Sequence, residues 1–177
     1  GVPQRMVYKT LIFDLGQPVN FGRLSWSATP LRMADGVPVA APQAPVVVQI
    51  EARAGTDPGP DIYYEFTDMG TRVVVDQIRY QEVLKNRSGD ISNADGLGGT
   101  VTVTSQPKPG LRASIGYDSE NWSFWSVPFT ESGGNLRMRS GSHLQLTLTL
   151  ESRDFDAWIR LDSLWIETAP LLADEVV

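Results

Sequence analysis

Two tryptophans three positions apart, Trp122 and Trp125, lie among polar side chains in the last third of the chain. Asp118 and Asn121 come just before them, and Tyr64 is a further aromatic residue with a polar neighbour. Exposed aromatic rings stack on sugar rings, and a few well-placed polar groups orient the ligand. These five residues are therefore the candidate ligand-binding residues. The competing interpretation, favoured by burial statistics, is that each ring anchors the core.

Four acidic residues are candidate metal ligands: Asp57 with Asp61, and Asp118 with Glu120. Carboxylate oxygens are typical ligands of calcium in proteins. Asp and Asn also form turns through their own hydrogen bonds, and this simpler interpretation is favoured. We expect no required cofactor, with structural calcium as the one candidate.

Catalytic side chains are few. The chain has no cysteine and one histidine, His143, which excludes thiolate chemistry and histidine-pair metal sites. His143 begins a strand pattern beside Gly141-Ser142, without the nucleophile elbow of hydrolases. Glycoside hydrolysis needs only two facing carboxylates, and sequence cannot establish that any pair converges. We expect a protein without catalytic activity, and glycoside hydrolysis stays open as an alternative.

The charge of the chain limits the classes of partner that we expect. The net charge is −6 across 177 residues, and lysines and arginines are scattered without a basic stripe. Nucleic acid and anionic membrane surfaces are therefore not expected partners. No apolar run reaches the length of about 18 residues that would predict a membrane span.

The elements that must position these residues are predicted to be strands. Leu144, Leu146, Leu148 and Leu150 alternate with polar residues, a period of two that predicts a strand with one buried and one wetted face. Further strands are predicted at 7–15, 23–27, 46–54, 62–67, 71–75, 100–104, 112–117 and 161–168, loops at 33–45 and 86–99, and one helix at 76–84 with Asp76 as its N-cap. Trp158 and Trp165 are predicted to lie in or near the core.

Three segments carry a family resemblance: Asn121-Trp-Ser-Phe-Trp-Ser126, Leu144-Gln-Leu146 and Leu161-Asp-Ser-Leu-Trp-Ile-Glu167. Their order resembles the C-terminal half of galactose-binding-like, discoidin-type jelly rolls, which occur as accessory domains of large bacterial secreted or surface proteins. The likeness covers roughly residues 112 to 170. It implies a β-sandwich of jelly-roll type, and the predicted elements themselves give an all-β fold of eight to ten strands with at most one short helix. It also implies a binding or structural role.

These observations predict one β-sandwich domain over residues 1–177, excised from a longer exported or cell-surface protein of a bacterium. We expect a non-catalytic accessory module, with carbohydrate binding as its leading role and a glycan as its partner. The alternative is a structural spacer or interaction domain that packs against neighbouring domains of its parent protein. The apolar segment after Pro170 favours that alternative.

Overall fold

The computed structural model describes residues 4–67, 70–85 and 110–171. This part of the chain consists of ten strands in antiparallel sheets and one short helical segment, so the predicted all-β sandwich class is confirmed. The contacts form two compact units, one from residues within Gly1–Gly59 and Ser119–Val177 and the other from residues within Pro60–Asp118. The predicted loop at 86–99 and strand at 100–104 lie outside the described residues. The single domain over 1–177 stays a prediction.

The strands have the following bounds. They are β1 (Arg5–Lys9), β2 (Phe13–Ala34), β3 (Val37–Ala40), β4 (Val46–Gly55), β5 (Asp61–Phe66), β6 (Arg72–Val75), β7 (Gly116–Tyr117), β8 (Gly134–Asn135), β9 (Gly141–Ser152) and β10 (Ala157–Pro170).

The first unit contains a seven-stranded sheet in which β9 pairs with β4, β1 and β2, and β2 pairs with β10, β3 and β8. Side chains of β4 and β9, among them Ile50 and Leu146, pack in one core with side chains of β2 and β10, among them Leu24 and Leu164. Two layers of strands around one apolar core are the arrangement of a sandwich. Strand β4 and the segment that follows its edge carry the candidate site.

The burial of side chains along β9 agrees with the prediction on one of the two faces of the strand. Leu144, Leu146 and Leu148 are buried, as the alternation predicts. Gln145 and Thr149 are also buried, each only 6 % exposed, so the predicted wetted face is wrong for these two positions. For Gln145 the reason is that its side chain is enclosed by hydrogen bonds with Arg53 and with the Thr10 carbonyl.

Strand β2 corrects two boundaries. The predicted strand at 7–15 is divided between β1 and β2, and Gly16, directly after it, adopts a φ of 78° at an irregularity between Asp14 and Val19 through which β2 continues. The predicted loop at 33–45 contains a hairpin, because Asp35 and Gly36 both adopt positive φ (50° and 77°) and join β2 to β3. Two positive-φ residues form the tight turn that suits the twist of a hairpin.

Trp165 also differs from prediction. It is 52 % exposed, whereas Leu164 and Ile166 on either side of it pack against the core. Successive side chains of a strand point to opposite faces, so the residue between two core residues lies on the outer face. Trp158 is half-buried, and its neighbour Ile159 is the residue that packs against the core.

The second unit contains a three-stranded sheet in the order β6-β5-β7. The predicted strands at 62–67 and 71–75 correspond to β5 and β6, which pair as an antiparallel hairpin from Tyr63↔Val75 to Phe66↔Arg72. The predicted helix is a short segment that includes a π-helical turn at Arg79–Val83, and Asp76 caps it by accepting the Arg79 N–H at 2.7 Å. The predicted strand at 112–117 is reduced to the two residues of β7 and one isolated bridge.

Candidate functional site

The segment that contains both tryptophans, residues 121–129, runs along the edge of β4 opposite the edge that pairs with β9. The N–H groups of Ser123, Ser126 and Phe129 donate to the carbonyls of Ala54, Ala52 and Ile50, each at 2.8–2.9 Å. Three residues of the segment therefore span two residues of β4. This three-residue repeat, visible in the sequence as Trp-Ser-Phe-Trp-Ser, replaces the two-residue alternation of a regular strand.

Serine hydroxyls make the unequal spacing possible. The N–H of Ala54 donates to Ser123 Oγ and the N–H of Ala52 donates to Ser126 Oγ, both at 3.0 Å. Each hydroxyl stands where a backbone carbonyl would accept in a normal ladder. The edge of β4 is thus covered, and its backbone donors are satisfied, as burial requires.

Trp122 is the buried anchor of this segment. Only 1 % of it is exposed, and its indole N–H donates to Asp57 Oδ1 at 2.6 Å. The ring lies across the backbone of Gly55, where an added Cβ would come within 2.1 Å of an indole carbon. A ring covered in this way has no open face for a ligand, so Trp122 acts as the core anchor of the competing interpretation.

Trp125 has a different environment. It is half-buried, and the guanidinium of Arg53 lies 4.3 Å from the centre of its ring. Arg53 itself is buried and is held by Gln145, whose Oε1 accepts from Nε at 2.9 Å and from Nη2 at 2.6 Å. Gln145 in turn donates to the Thr10 carbonyl at 2.8 Å. A chain of contacts from β9 through β4 therefore fixes the orientation of the Trp125 ring.

Both tryptophans line a cavity of about 420 Å³ that opens to solvent. Phe124, which is 72 % exposed, forms another part of its wall. The lining residues are Ser119, Trp122, Ser123, Phe124, Trp125, Ser126, Arg137, Met138 and Arg139. Two exposed arginines, the rings of Phe124 and Trp125 and several hydroxyls thus meet around one concave surface, a combination that suits a small polar ligand with an apolar face.

The predicted ligand-binding residues are only partly brought together. Trp122 and Trp125 line the cavity, and Asn121 is exposed beside Trp122, with its carbonyl accepting the Thr56 N–H at 2.9 Å. Asp118 and Tyr64 belong to the other compact unit, where Arg72 lies 4.9 Å from the centre of the Tyr64 ring.

Four residues of the site were not predicted from the sequence. They are Arg53, Phe124, Arg137 and Arg139. The sequence does contain a signal for the last two, because Leu136 and Met138 alternate with them and a period of two predicts that the arginines share the outer side. No comparable signal links Arg53 to Trp125, which lies 72 positions away in a different segment.

The candidate calcium ligands are divided between the two units, with Asp57 and Glu120 in the first and Asp61 and Asp118 in the second. Asp57 Oδ1 accepts from Trp122 and from the Gly59 N–H. Within the described ranges, no group of three or more acidic or histidine side chains is arranged to hold a metal ion. A structural calcium ion stays a prediction.

His143 has two polar neighbours. Its Nδ1 lies 2.9 Å from Ser142 Oγ, and its Nε2 lies 3.8 Å from Asp14 Oδ1. A catalytic triad needs a hydrogen bond that orients the histidine, and 3.8 Å is too long for one. The Asp14 carboxylate instead accepts the Gly16 N–H at 2.9 Å, which stabilises the irregularity in β2.

The second unit has its own cluster of aromatic and charged residues around Tyr80. The Tyr80 hydroxyl donates to the Ala113 carbonyl at 2.8 Å, and the guanidinium of Arg112 lies 4.6 Å from the ring centre. Arg79 binds both carboxylate oxygens of Glu65, each at 2.6 Å. The hydrogen bonds from Arg79 lower the pKa of Glu65 below its ordinary value of 4.5, against the opposing effect of burial.

The chain matches no known protein family, no curated protein and no solved structure. The likeness to galactose-binding-like domains therefore stays a prediction carried by the three sequence segments. In the described ranges, no helix has the length and apolar character needed to cross a membrane.

Proposed function

We propose that this protein is a non-catalytic binding module that holds a carbohydrate in the cavity between Trp125, Phe124 and Arg139. The observation that carries the proposal is the Trp125 ring, which Arg53 holds in place at the wall of an open cavity. A ring fixed before the ligand arrives loses little conformational freedom on binding, which favours affinity.

The size and lining of the cavity support a sugar. About 420 Å³ lies within the range of about 300–1,000 Å³ that is typical of small-molecule sites. Phe124 is 72 % exposed and lines the cavity, so its ring offers an apolar face on which a sugar ring can stack. The guanidinium groups of Arg137 and Arg139 can donate to hydroxyls, so the lining offers both a stacking surface and hydrogen-bond donors.

The wider role rests on the sequence resemblance alone. By that resemblance the module is an accessory domain of a bacterial protein that works outside the cell or on its surface. Its partners would then be a glycan and the neighbouring domains of its parent chain. No step of this proposal needs a cofactor or a metal ion.

The test is affinity electrophoresis of the wild-type chain and of Phe124→Ala through gels that contain neutral or acidic polysaccharides. We expect at least one polysaccharide to retard the wild type, and we expect Phe124→Ala to weaken that retardation about tenfold. Val127→Ala is the matched control, since Val127 is 77 % exposed but does not line the cavity. Equal losses in both variants, or no retardation by any polysaccharide, would contradict the proposal.

One observation favours the alternative, an interaction domain. All five residues of β1 are exposed, among them Met6 (52 %), Val7 (54 %) and Tyr8 (60 %). In the described sheet, β1 pairs only with β9, so its second edge has no partner strand. An apolar edge strand is a common docking site for another chain or domain. Self-association that Val7→Lys abolishes, without any glycan binding, would make this alternative the better account.

A further inference from the structure

We infer that the ligand of the cavity is an acidic saccharide whose carboxylate binds Arg137 and Arg139. This inference rests on the proposed function and names the ligand class of the same site. Uronic acids and sialic acids are the chemical classes that combine a sugar ring with a carboxylate.

The first support is the charge of the cavity. The whole chain has 21 acidic and 15 basic residues, a net charge of −6. The nine residues that line the cavity include two arginines and no carboxylate. The lining itself is therefore cationic although the protein is anionic, which favours an anionic ligand at this surface.

The second support is the state of the two guanidinium groups. Arg137 and Arg139 are both exposed, and neither makes an ion pair or side-chain hydrogen bond with any residue that the structure describes. Three other arginines (Arg32, Arg79 and Arg160) each have a carboxylate partner at 2.6 Å. Among the described residues, none therefore competes with a ligand for the donors of the cavity arginines.

The third support is the position of the arginines relative to the aromatic wall. Leu136 is buried and Met138 is half-buried, so Arg137 and Arg139 alternate with them on the solvent side. Both line the same cavity as Trp125 and Phe124. A sugar ring stacked on Trp125 or Phe124 would therefore bring its carboxylate near the two guanidinium groups. The donors of a guanidinium lie in one plane and can bind both oxygens of a carboxylate at once.

The test is isothermal titration calorimetry with paired oligosaccharides that differ only in the acid. The pairs are trigalacturonate and sialyllactose, each with its own methyl ester, supplemented by oligomers of alginate and hyaluronate. We expect at least one acid to bind about tenfold or more tightly than its neutral counterpart, and the preference to shrink as salt screens it. Arg137→Gln/Arg139→Gln should remove the preference, so that the acid and its neutral counterpart bind with similar affinity.

Two further variants separate local contact from overall charge. Arg5→Gln/Arg153→Gln removes the same charge from two exposed arginines outside the cavity lining and should leave the preference intact. Arg137→Lys/Arg139→Lys keeps the charge but not the paired donors, so we expect an intermediate affinity.

The outcomes are distinguishable. Equal affinity for acidic and neutral sugars, with loss only in Phe124→Ala, would overturn the acidic ligand and keep the carbohydrate-binding function. An equal loss of preference in the Arg5/Arg153 control would also overturn it, because general electrostatics would then explain the effect. Binding of no saccharide at all would overturn both proposals.

Discussion

In both compact units an arginine side chain stacks on an aromatic ring, but the two units differ in whether their arginines have partners among the described residues. In the first unit Arg53 lies over Trp125, and this ring borders a cavity with two further arginines that have no described side-chain partner. In the second unit Arg112 lies over Tyr80 and also donates to two backbone carbonyls, and Arg79 is paired with Glu65. The stacking of arginine on an aromatic ring is therefore a structural device in both units. The open, cationic surroundings of Trp125 are what mark a candidate site.

The largest expected effect separates the two tryptophans of the first unit. Trp122→Ala should lower the free energy of unfolding by about 3–5 kcal/mol, because it removes a fully buried ring and leaves a cavity. Trp125→Ala should cost clearly less, since its ring is half-buried. Urea denaturation measures both. Equal losses would mean that Trp125 is also a core anchor, and the contrast between the two rings would fail.

A smaller effect tests the edge of β4. Ser126→Ala should lower the free energy of unfolding by about 1–3 kcal/mol, because the buried N–H of Ala52 would lose its acceptor. Ser119→Ala is the matched control, an exposed serine of the same cavity lining. If both variants keep wild-type stability, a water molecule or another acceptor satisfies Ala52 and the hydroxyl is not required.

The smallest expected change in the free energy of unfolding comes from the Arg79–Glu65 ion pair of the second unit, and it depends on pH. Because Arg79 lowers the pKa of Glu65, the ion pair contributes stability that is present above the ordinary value of 4.5. This contribution is lost as the pH falls through the lowered pKa of the folded state. Glu65→Gln should therefore be less stable than the wild type at pH 7, and the difference should vanish in strong acid.

The control for this prediction is Glu82→Gln, which changes an exposed carboxylate of the neighbouring helical turn. Urea midpoints of both variants at pH 7 and pH 3 would decide the matter. A Glu65→Gln difference of the same size at both pH values would show that the ion pair does not cause it.

Periodicity predicted which side chains share a face better than it predicted whether that face is covered. The four leucines of β9 are on the face that the pattern indicates, yet Gln145 on the opposite face is buried under contacts with Arg53 and Thr10. An alternation in the sequence carries no information about what packs on its polar side. The same limit explains Trp165, whose apolar character predicted burial but whose position between two core residues places it outside.

Other differences between prediction and structure arose where neighbouring residues favour different local structures. Gly16 and Pro18 are typical of a turn, but a single positive φ at Gly16 only bends β2. Asp35-Gly36 is a strong hairpin signal that the surrounding prolines obscured. The candidate site itself was predicted in part, because the tryptophans are prominent in the sequence. Its arginines were not, because their importance follows from contacts between distant segments.

The close approach of Trp122 to Gly55 has a consequence for the divergence of related sequences. No side chain fits at position 55 while an indole ring lies over it, so the two positions are constrained as a pair. A descendant that acquires alanine or a larger residue at 55 must replace Trp122 with a smaller residue or shift its whole Trp-Ser segment. Substitutions at the two positions should therefore be correlated among relatives, and a sequence with a bulky residue at both would be expected to pair the segment with β4 in a different register.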